Sequence, residues 1–360
     1  MWWKHDCQKG ILIRMERNIS ENIDETIAWH RRAAEAGNAK SMFMLGKLLF
    51  EEKNDEENGM YWLHKAYENG YADAAGYCGT DLSYEHVPGG IAVTGARKHV
   101  SNLSIPPVID GVTVVAIGEY AFRYCNNLRS IRLPSGVTEI GQGAFSGCSG
   151  LNSIDLPDSV RKIGVGAFYR CSSLSSIKLP SGMTEIDQGT FAGCSGLCRI
   201  ELPAGITKIG AGAFSECSSL ESIVLPAGVT EIGQGIFAGC SSLERALLPG
   251  GLQKISVGAF FKCRSLEGID LPTGITELGD GAFSGCVSLT SIKLPDGVKK
   301  LGNGAFAGCI NLVSMELSPA LAEIAEDSFA GCMRLDRSVL AKLQAINPDV
   351  QLTASEKCER

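Results

Sequence analysis

Histidine and tryptophan are confined to the first part of this 360-residue chain, and their absence elsewhere narrows its chemistry. The five histidines end at His99 and the four tryptophans end at Trp62. Because residues 100–360 hold no imidazole, serine–histidine catalysis, cysteine–histidine catalysis and histidine–metal sites are excluded from most of the chain.

Basic clusters and long apolar runs are also scarce. The formal net charge is −7, from 33 basic and 40 acidic side chains, and no local run of lysine and arginine offers a face for phosphates. No stretch is long and apolar enough to predict a membrane span. Residues 1–22 lack the apolar core of a secretory signal. We therefore expect neither a nucleic-acid-binding protein nor a membrane-spanning one.

What the chain has instead is a strict internal repeat. Phenylalanine recurs every 23 residues, ten times, from Phe122 to Phe329. A cysteine follows each phenylalanine three residues later, from Cys125 to Cys332. Because no insertion disturbs this period, each unit is predicted to be one turn of a solenoid, stacked on the next turn.

Within each turn, the segment represented by Leu128–Pro134 alternates apolar and polar residues before a proline. This pattern predicts a short strand with Ile131 and Leu133 facing inward, paired in parallel with the strands of neighbouring turns. Ordering one turn costs more free energy than its own apolar side chains recover, so turns must stack and the ends need caps. We expect the phenylalanine rings to form one continuous interior row.

These repeats resemble the BspA-type leucine-rich repeats of bacterial proteins, over roughly residues 82–340. The lead-in, Leu82–Tyr84 with Ile91–Gly95, resembles the capping hairpin of that family. The resemblance implies a right-handed leucine-rich-repeat solenoid, a role in protein binding, often as a surface adhesin, and no enzymatic activity in the repeat. Repeat departures after residue 315 predict that the solenoid ends near residue 340, with a closing helix over Asp336–Ile346.

Residues 23–79 follow a different period. Trp29 and Trp62 lie 33 residues apart, as do Gly37 and Gly70, and each pair marks a helix that ends at its glycine. This segment resembles the Sel-one-like subclass of tetratricopeptide-type repeats, which implies protein contact as an adaptor. Two roles stay open for it: a cap on the first turns of the solenoid, or an independent peptide groove.

The fold class that follows is an α+β repeat protein: a right-handed leucine-rich-repeat solenoid of ten 23-residue turns, preceded by a short α-helical hairpin module. The predicted boundaries are a leader at 1–22, the Sel-one-like module at 23–79, a capping hairpin and linker at 80–112, the solenoid at 113–340, and a C-terminal helix and tail at 341–360.

The ten repeat cysteines have no C-x-x-C spacing and point the same way in successive turns. They are interpreted as reduced, buried thiols that act as small hydrophobic side chains, with no disulfide, metal or redox role. Four further cysteines lie outside this column: Cys7, Cys78, Cys198 and Cys358. His30 and His64 are expected on solvated helix faces. No cofactor, metal or catalytic residue is predicted.

Two surface patterns supply the candidate binding residues. The residue after the strand isoleucine is predicted to face outward, and its charge alternates from turn to turn except at Val224 and Leu247; this outward column reads Arg132, Asp155, Lys178, Glu201, Val224, Leu247, Asp270, Lys293, Glu316 and Val339. Exposed apolar neighbours often mark partner sites. Two aromatic–basic pairs that replace small residues after the repeat phenylalanine are further candidates: Tyr169 with Arg170, and Phe261 with Lys262.

The sequence thus predicts a non-catalytic scaffold, of adhesin or adaptor type, that binds a protein partner through the strand face of its solenoid. A structural spacer without a ligand is the first alternative, and an enzyme with its site in the N-terminal helical module, within the first 99 residues, is the second. A monomer is expected. Unpaired thiols and the missing secretory signal favour the cytoplasm, while the family resemblance offers the cell surface as the alternative.

Overall fold

The computed structural model describes residues 23–53, 55–71, 73–74, 82–96 and 101–352. The predicted leader at 1–22 lies outside these residues, as do Cys7, Cys78 and Cys358. The described residues divide into two compact units: one lies before Leu82 and includes Asn102–Pro107, and the other comprises Leu82–Ser101 with the chain from Val108 onward.

The first unit is helical. Its helices are α1 (Ile23–Glu35), α2 (Ala39–Glu51) and α3 (Glu56–Glu68). The chain leaves α1 through Gly37 and α3 through Gly70, both with positive φ. At the start of α2, the side-chain oxygen of Asn38 accepts a hydrogen bond from the backbone N–H of Ser41 at 2.9 Å.

Two glycines allow α2 and α3 to pack closely. A Cβ on Gly46 would lie 2.6 Å from Cγ of Leu63, and one on Gly59 would lie 2.7 Å from Cβ of Phe50. Larger side chains at these positions would push the helices apart. The predicted helical module is therefore present, and its assignment to the Sel-one-like repeats stays a prediction.

The second unit begins with a β-hairpin. Its early strands are β1 (Ser83–Val87), β2 (Gly90–Gly95), β4 (Val108–Ile109) and β5 (Val112–Ile117). The short strand β3 (Asn102–Ser104) belongs to the first unit, in the segment Asn102–Pro107. Strands β1 and β2 are antiparallel, and β2 also pairs in parallel with β5. Strand β5 in turn pairs with the first repeat turn, so the hairpin covers that end of the repeat sheet.

The repeat turns are numbered here by their phenylalanine, from Phe122 in turn one to Phe329 in turn ten. A three-residue main strand follows the cysteine in eight of them: Ser130–Arg132, Ser153–Asp155, Ser176–Lys178, Arg199–Glu201, Ser222–Val224, Arg245–Leu247, Ser291–Lys293 and Ser314–Glu316. A two-residue second strand follows in nine: Glu139–Ile140, Lys162–Ile163, Glu185–Ile186, Lys208–Ile209, Glu231–Ile232, Lys254–Ile255, Glu277–Leu278, Lys300–Leu301 and Glu323–Ile324.

Main strands pair in parallel with a register offset of one repeat, as where Ile177 lies opposite Ile200. They join two by two, in turns one and two, three and four, five and six, and eight and nine. The central residue of each main strand is inward: an isoleucine in six strands, as predicted, and Ala246 or Met315 in the other two. The following leucine was predicted to be inward in every turn; it is buried in some turns, as at Leu179 and Leu225, but only half-buried in others, as at Leu156 and Leu202.

The ten phenylalanine rings form one interior row. Neighbouring ring centroids from Phe122 to Phe329 lie 5.3 to 5.9 Å apart. All ten rings are buried. Beside the rings, the backbone N–H of each phenylalanine from Phe122 to Phe306 donates to a carbonyl oxygen of the next turn, as from Phe214 to Ile236 at 3.0 Å. The predicted solenoid with a continuous ring row is confirmed.

The cysteine column is buried from Cys148 to Cys332, whereas Cys125 is half-buried because no repeat turn precedes turn one. Each buried thiol donates a hydrogen bond of 3.0 to 3.2 Å to the carbonyl oxygen of the phenylalanine in the preceding turn. The interpretation of these cysteines as small hydrophobic side chains was therefore incomplete. Burial raises the pKa of Cys194, Cys240 and Cys286 to about 12.

Helix α4 (Arg337–Ile346) ends the repeat array. It begins after Asp336, whose side chain accepts a hydrogen bond from the backbone N–H of Ser338 at 2.7 Å. The predicted closing helix is confirmed. The placement of Val339 in the outward strand column was wrong, because a helix replaces the main strand of turn ten and Val339 is buried.

Candidate binding surface

Two apolar side chains lie side by side on the outer surface of the main strands. Val224 in turn five and Leu247 in turn six are direct partners in the parallel ladder. They are 60% and 59% exposed. The same position holds Glu201 in turn four and Asp270 in turn seven. We call Val224 and Leu247 the apolar pair; an exposed carboxylate flanks it on each side.

The main strands are interrupted at turn seven, directly beside the apolar pair. Residues 268–270 form no strand, and their backbone groups make no hydrogen bond within the continuous described stretch 101–352. Gly268 stands where neighbouring turns carry serine or arginine, and a glycine has no side chain to pack on a strand face. As a result, Ile269 is half-buried, whereas the equivalent Ile223 and Ile292 are fully buried.

An open cleft of about 600 Å³ lies over this interruption. Its apolar lining includes Leu247, Ile269 and Ile292, and its charged lining includes Arg245, Asp270 and Lys293. Because Leu247 belongs both to the cleft and to the apolar pair, the two form one continuous surface. We call this depression the turn-seven cleft.

Three glutamates occupy the same repeat position on successive turns, directly before the main-strand position. Glu221, Glu244 and Glu267 each lie two residues before the main-strand isoleucine position, and all three are exposed. The backbone N–H of Glu244 donates to the carbonyl oxygen of Glu221 at 2.9 Å, so these residues are neighbours in space. Like charges on adjacent strands are destabilising. This glutamate column is therefore not explained by folding stability.

Few cations offset the glutamate column. Arg199 lies 3.9 Å from the carboxylate of Glu221, and Lys293 is bonded to Glu316 at 2.8 Å. Among the described residues, Glu244 and Glu267 take part in no ion pair. Arg245 and Lys293 offset Asp270 and Asp296 in the lining of the turn-seven cleft, so the unpaired negative charge belongs to Glu244 and Glu267 of the glutamate column.

The two aromatic–basic pairs lie elsewhere, in the segment after the phenylalanine of turns three and seven. The guanidinium of Arg170 is 5.1 Å from the ring centre of Tyr169, and the Lys262 ammonium is 4.8 Å from that of Phe261. Both rings are partly exposed. These two pairs lie four turns apart. The six candidate residues therefore form three separate surface sites: the apolar pair and the two aromatic–basic pairs.

Arg170 also covers a glycine of the next turn. It adopts φ +55°, and a Cβ on Gly193 would lie 2.8 Å from its Cγ. Lys262 lies over Gly285 in the same manner, with 3.3 Å between its Cγ and such a Cβ. These basic side chains therefore help to pack successive turns.

Turn one carries an exposed aromatic cluster that was not predicted from the sequence. The guanidinium of Arg123 lies 5.3 Å from the ring centre of Tyr120 and 4.8 Å from that of Tyr124. The hydroxyl of Tyr120 accepts a hydrogen bond from Nε2 of Gln142 at 2.6 Å. These residues replace the small residues and glycines of later turns, which is the signal that would have identified them.

The charge column of the second strands forms ion pairs. Lysine–glutamate pairs join Lys162 to Glu139 at 2.8 Å, Lys208 to Glu185 at 4.0 Å, Lys254 to Glu277 at 3.2 Å and Lys300 to Glu323 at 3.7 Å. The direction of these pairs changes at Glu231. Lysines before Glu231 pair with a glutamate of the preceding turn, and lysines after it pair with a glutamate of the following turn. Within the described chain Glu231 forms no ion pair.

The described residues contain no group of three or more histidine, cysteine, aspartate or glutamate side chains placed to hold a metal ion.

The expectation of a solvated His30 was wrong, because its ring is half-buried against Trp29 with a centroid distance of 4.7 Å. Burial, and then the charge of Lys40, lowers the pKa of His30. The side chain of His64 lies outside the described part of the structure.

One further property concerns membranes: no helix in the described part of the chain combines the length and the apolar character needed to span a bilayer.

Solved structures with related repeats include a leucine rich cell surface protein from Faecalibacterium prausnitzii, 26% identical, covering 71% of this chain and 86% of that chain with a TM-score of 0.47. A leucine rich repeat protein of T. pallidum is 29% identical, covering 76% and 97% with a TM-score of 0.33. One from Bacteroides ovatus is 27% identical, covering 71% and 91% with a TM-score of 0.34.

A search of curated protein sequences gives no match. The family described as "BspA type Leucine rich repeat region" matches residues 115–244 and 231–350, in six copies. These two stretches span the repeat turns that carry the phenylalanine row, the apolar pair and the turn-seven cleft. The chain therefore belongs to the BspA-type leucine-rich-repeat family.

Proposed function

We propose that this protein is a non-catalytic scaffold that binds a protein partner through the main-strand face of its solenoid. The observation that carries the proposal is the apolar pair, Val224 and Leu247, exposed on adjacent turns beside an open cleft. Burying a side chain of this size is worth about 1.5 to 3 kcal/mol, so a partner that covers both gains affinity there. Repeats of this family are typically non-catalytic, which agrees with a binding role.

The test is a saturable pull-down of partner proteins with the full chain. Val224→Arg or Leu247→Asp should abolish the saturable binding, because each puts a charge into the contact. Val165→Arg is the matched control, since Val165 is also exposed but lies in another turn and outside the main-strand column. Binding that is indifferent to both substitutions on the strand face would favour a structural spacer instead.

We further propose a cytoplasmic location. The eleven described cysteines are all free, which suits a reducing compartment. The alternative is the cell surface, where the F. prausnitzii protein is placed by its description. Fractionation of the source cells, with surface labelling of intact cells, separates the two: labelling of the intact cells would overturn the cytoplasmic proposal.

A further inference from the structure

Building on the protein-binding function proposed above, we propose that the partner segment is an extended basic–apolar peptide. Its apolar side chains lie on the apolar pair and in the turn-seven cleft, and its lysine or arginine side chains face Glu244 and Glu267. This inference names the class of partner for the surface described above.

The apolar part of the site needs an apolar ligand. Val224 and Leu247 are exposed neighbours, and the cleft continues from Leu247 to the half-buried Ile269. Removal of this surface from water is favourable for any partner that brings matching apolar side chains. A volume of about 600 Å³ has room for more than one side chain of the partner.

An extended backbone suits the interruption at turn seven. The N–H and C=O groups of residues 268–270 make no hydrogen bond within 101–352, although they stand beside the main strands of turns six and eight. An extended peptide carries a row of the same groups, and main-chain pairing of this kind is a common way to recognise peptides.

The charge of the site specifies the flanking residues of the partner. Glu221, Glu244 and Glu267 place three exposed carboxylates on successive turns, whereas basic and acidic side chains balance in the cleft itself, where Arg245 and Lys293 accompany Asp270 and Asp296. Elsewhere on the solenoid, neighbouring turns carry opposite charges that pair with each other. A basic segment would neutralise the glutamate column, and charge complementarity of this kind sets which partner binds.

The experiment uses the full chain and a fluorescein-labelled peptide, Lys-Lys-Val-Leu-Val-Lys-Lys, with versions in which serine or glutamate replaces every lysine. Its lysines flank the apolar residues, so each face of the extended peptide carries both kinds of side chain. Fluorescence anisotropy should show saturable binding of the lysine peptide and much weaker binding of the other two. Glu244→Lys should weaken binding by about threefold to tenfold. Glu231→Lys is the matched control, because it makes the same charge change on the second-strand column and should alter affinity by less than about twofold.

Leu247→Ser tests the apolar contact without adding charge, and melting curves check that each variant is folded. If the serine and lysine peptides bind equally well and Leu247→Ser abolishes the binding of both, the partner need not be basic. That result would overturn this inference and leave the protein-binding function in place. Equal weakening by Glu231→Lys and Glu244→Lys would mean diffuse attraction and would also overturn it. Lysine-peptide binding that Leu247→Ser leaves unchanged contradicts both proposals. Absence of any lysine-peptide binding overturns this inference alone, since the pull-down judges the function separately.

Discussion

The thiol sulfur of Cys217 lies 3.2 Å from the carbonyl oxygen of Phe191, which is 26 residues earlier and in the preceding turn. The same carbonyl accepts a hydrogen bond from the backbone N–H of Cys194 at 3.0 Å. Because the relation recurs along the column, each thiol connects two turns beside the phenylalanine row. The cysteines therefore contribute hydrogen bonds as well as apolar volume.

Burial of these thiols predicts that stability falls in alkali. The pKa of Cys240 is about 12 in the folded state against an ordinary value of 9.0, so the folded state holds its proton more tightly than the unfolded state. The stability that this thiol contributes is fully present below pH 9 and is lost as pH rises towards 12. Urea midpoints from pH 7 to 11 should show the decline.

Cys240→Ala isolates the thiol from the other groups that titrate in this range. Between pH 9 and pH 12 the unfolded state of the unsubstituted protein releases the Cys240 proton, whereas the folded state keeps it. The ratio of its unfolding constant to that of the variant should therefore rise about tenfold per pH unit. Parallel curves for the two proteins would contradict the assignment of the pH dependence to the buried thiols.

Thiol accessibility gives a second prediction. Nine column cysteines, from Cys148 to Cys332, are buried, whereas Cys125 and Cys198 are half-buried. Among the described cysteines, a polar disulfide reagent added to the native protein should therefore react quickly with Cys125 and Cys198 only. The nine buried thiols should react at the rate of unfolding. Mass spectrometry after brief labelling reads the sites, and fast modification of Cys217 would refute the buried column.

Removal of a ring from the interior row should be costly. Phe214→Ala is expected to lower the free energy of unfolding by about 3 to 5 kcal/mol, because it leaves a cavity between two stacked rings. Phe261→Ala is the control, since that ring lies partly exposed beside Lys262, and its cost should be roughly 1 kcal/mol or less. Denaturant titrations compare the two, and similar costs would argue against the ring row as the core.

The interruption at turn seven should be repairable. Gly268 has no positive φ, and a Cβ there would meet no atom within 4 Å. Gly268→Ser introduces the serine found in most other turns and should raise stability by about 0.5 to 1 kcal/mol, because glycine loses more backbone freedom on folding than serine does. If the variant pairs its main strand, the turn-seven cleft narrows and binding of the basic peptide weakens.

Gly193→Ser is the matched control for this change. Gly193 has φ +76°, and a Cβ there would lie 2.8 Å from Cγ of Arg170, so the same substitution should destabilise the protein. Chemical denaturation measures both variants. A loss of stability in Gly268→Ser as large as that in Gly193→Ser would show that turn seven needs its glycine for another reason.

The 23-residue period was enough to predict the solenoid, the phenylalanine row and the exposed position of Val224 and Leu247. Equal turns place residues of the same phase in line, so one sequence column becomes one row in space. The closing helix at Arg337–Ile346 followed from the loss of the repeat pattern and the Asp336 cap. The local pattern and the period are enough to predict these features, because each depends on the same contact between neighbouring turns repeated along the solenoid.

Only the tertiary structure decided which turns keep their main strand and where a cleft opens. Sequence alone did not separate turn seven from its neighbours, because a ladder forms only where the backbone groups of both adjacent turns align. The direction of each lysine pair around Glu231, the burial of His30 and the thiol bonds to the phenylalanine carbonyls depend likewise on three-dimensional contacts. In a periodic sequence each residue has equivalent possible partners in the preceding and the following turn. Only the packing of the folded chain decides which of the two it contacts.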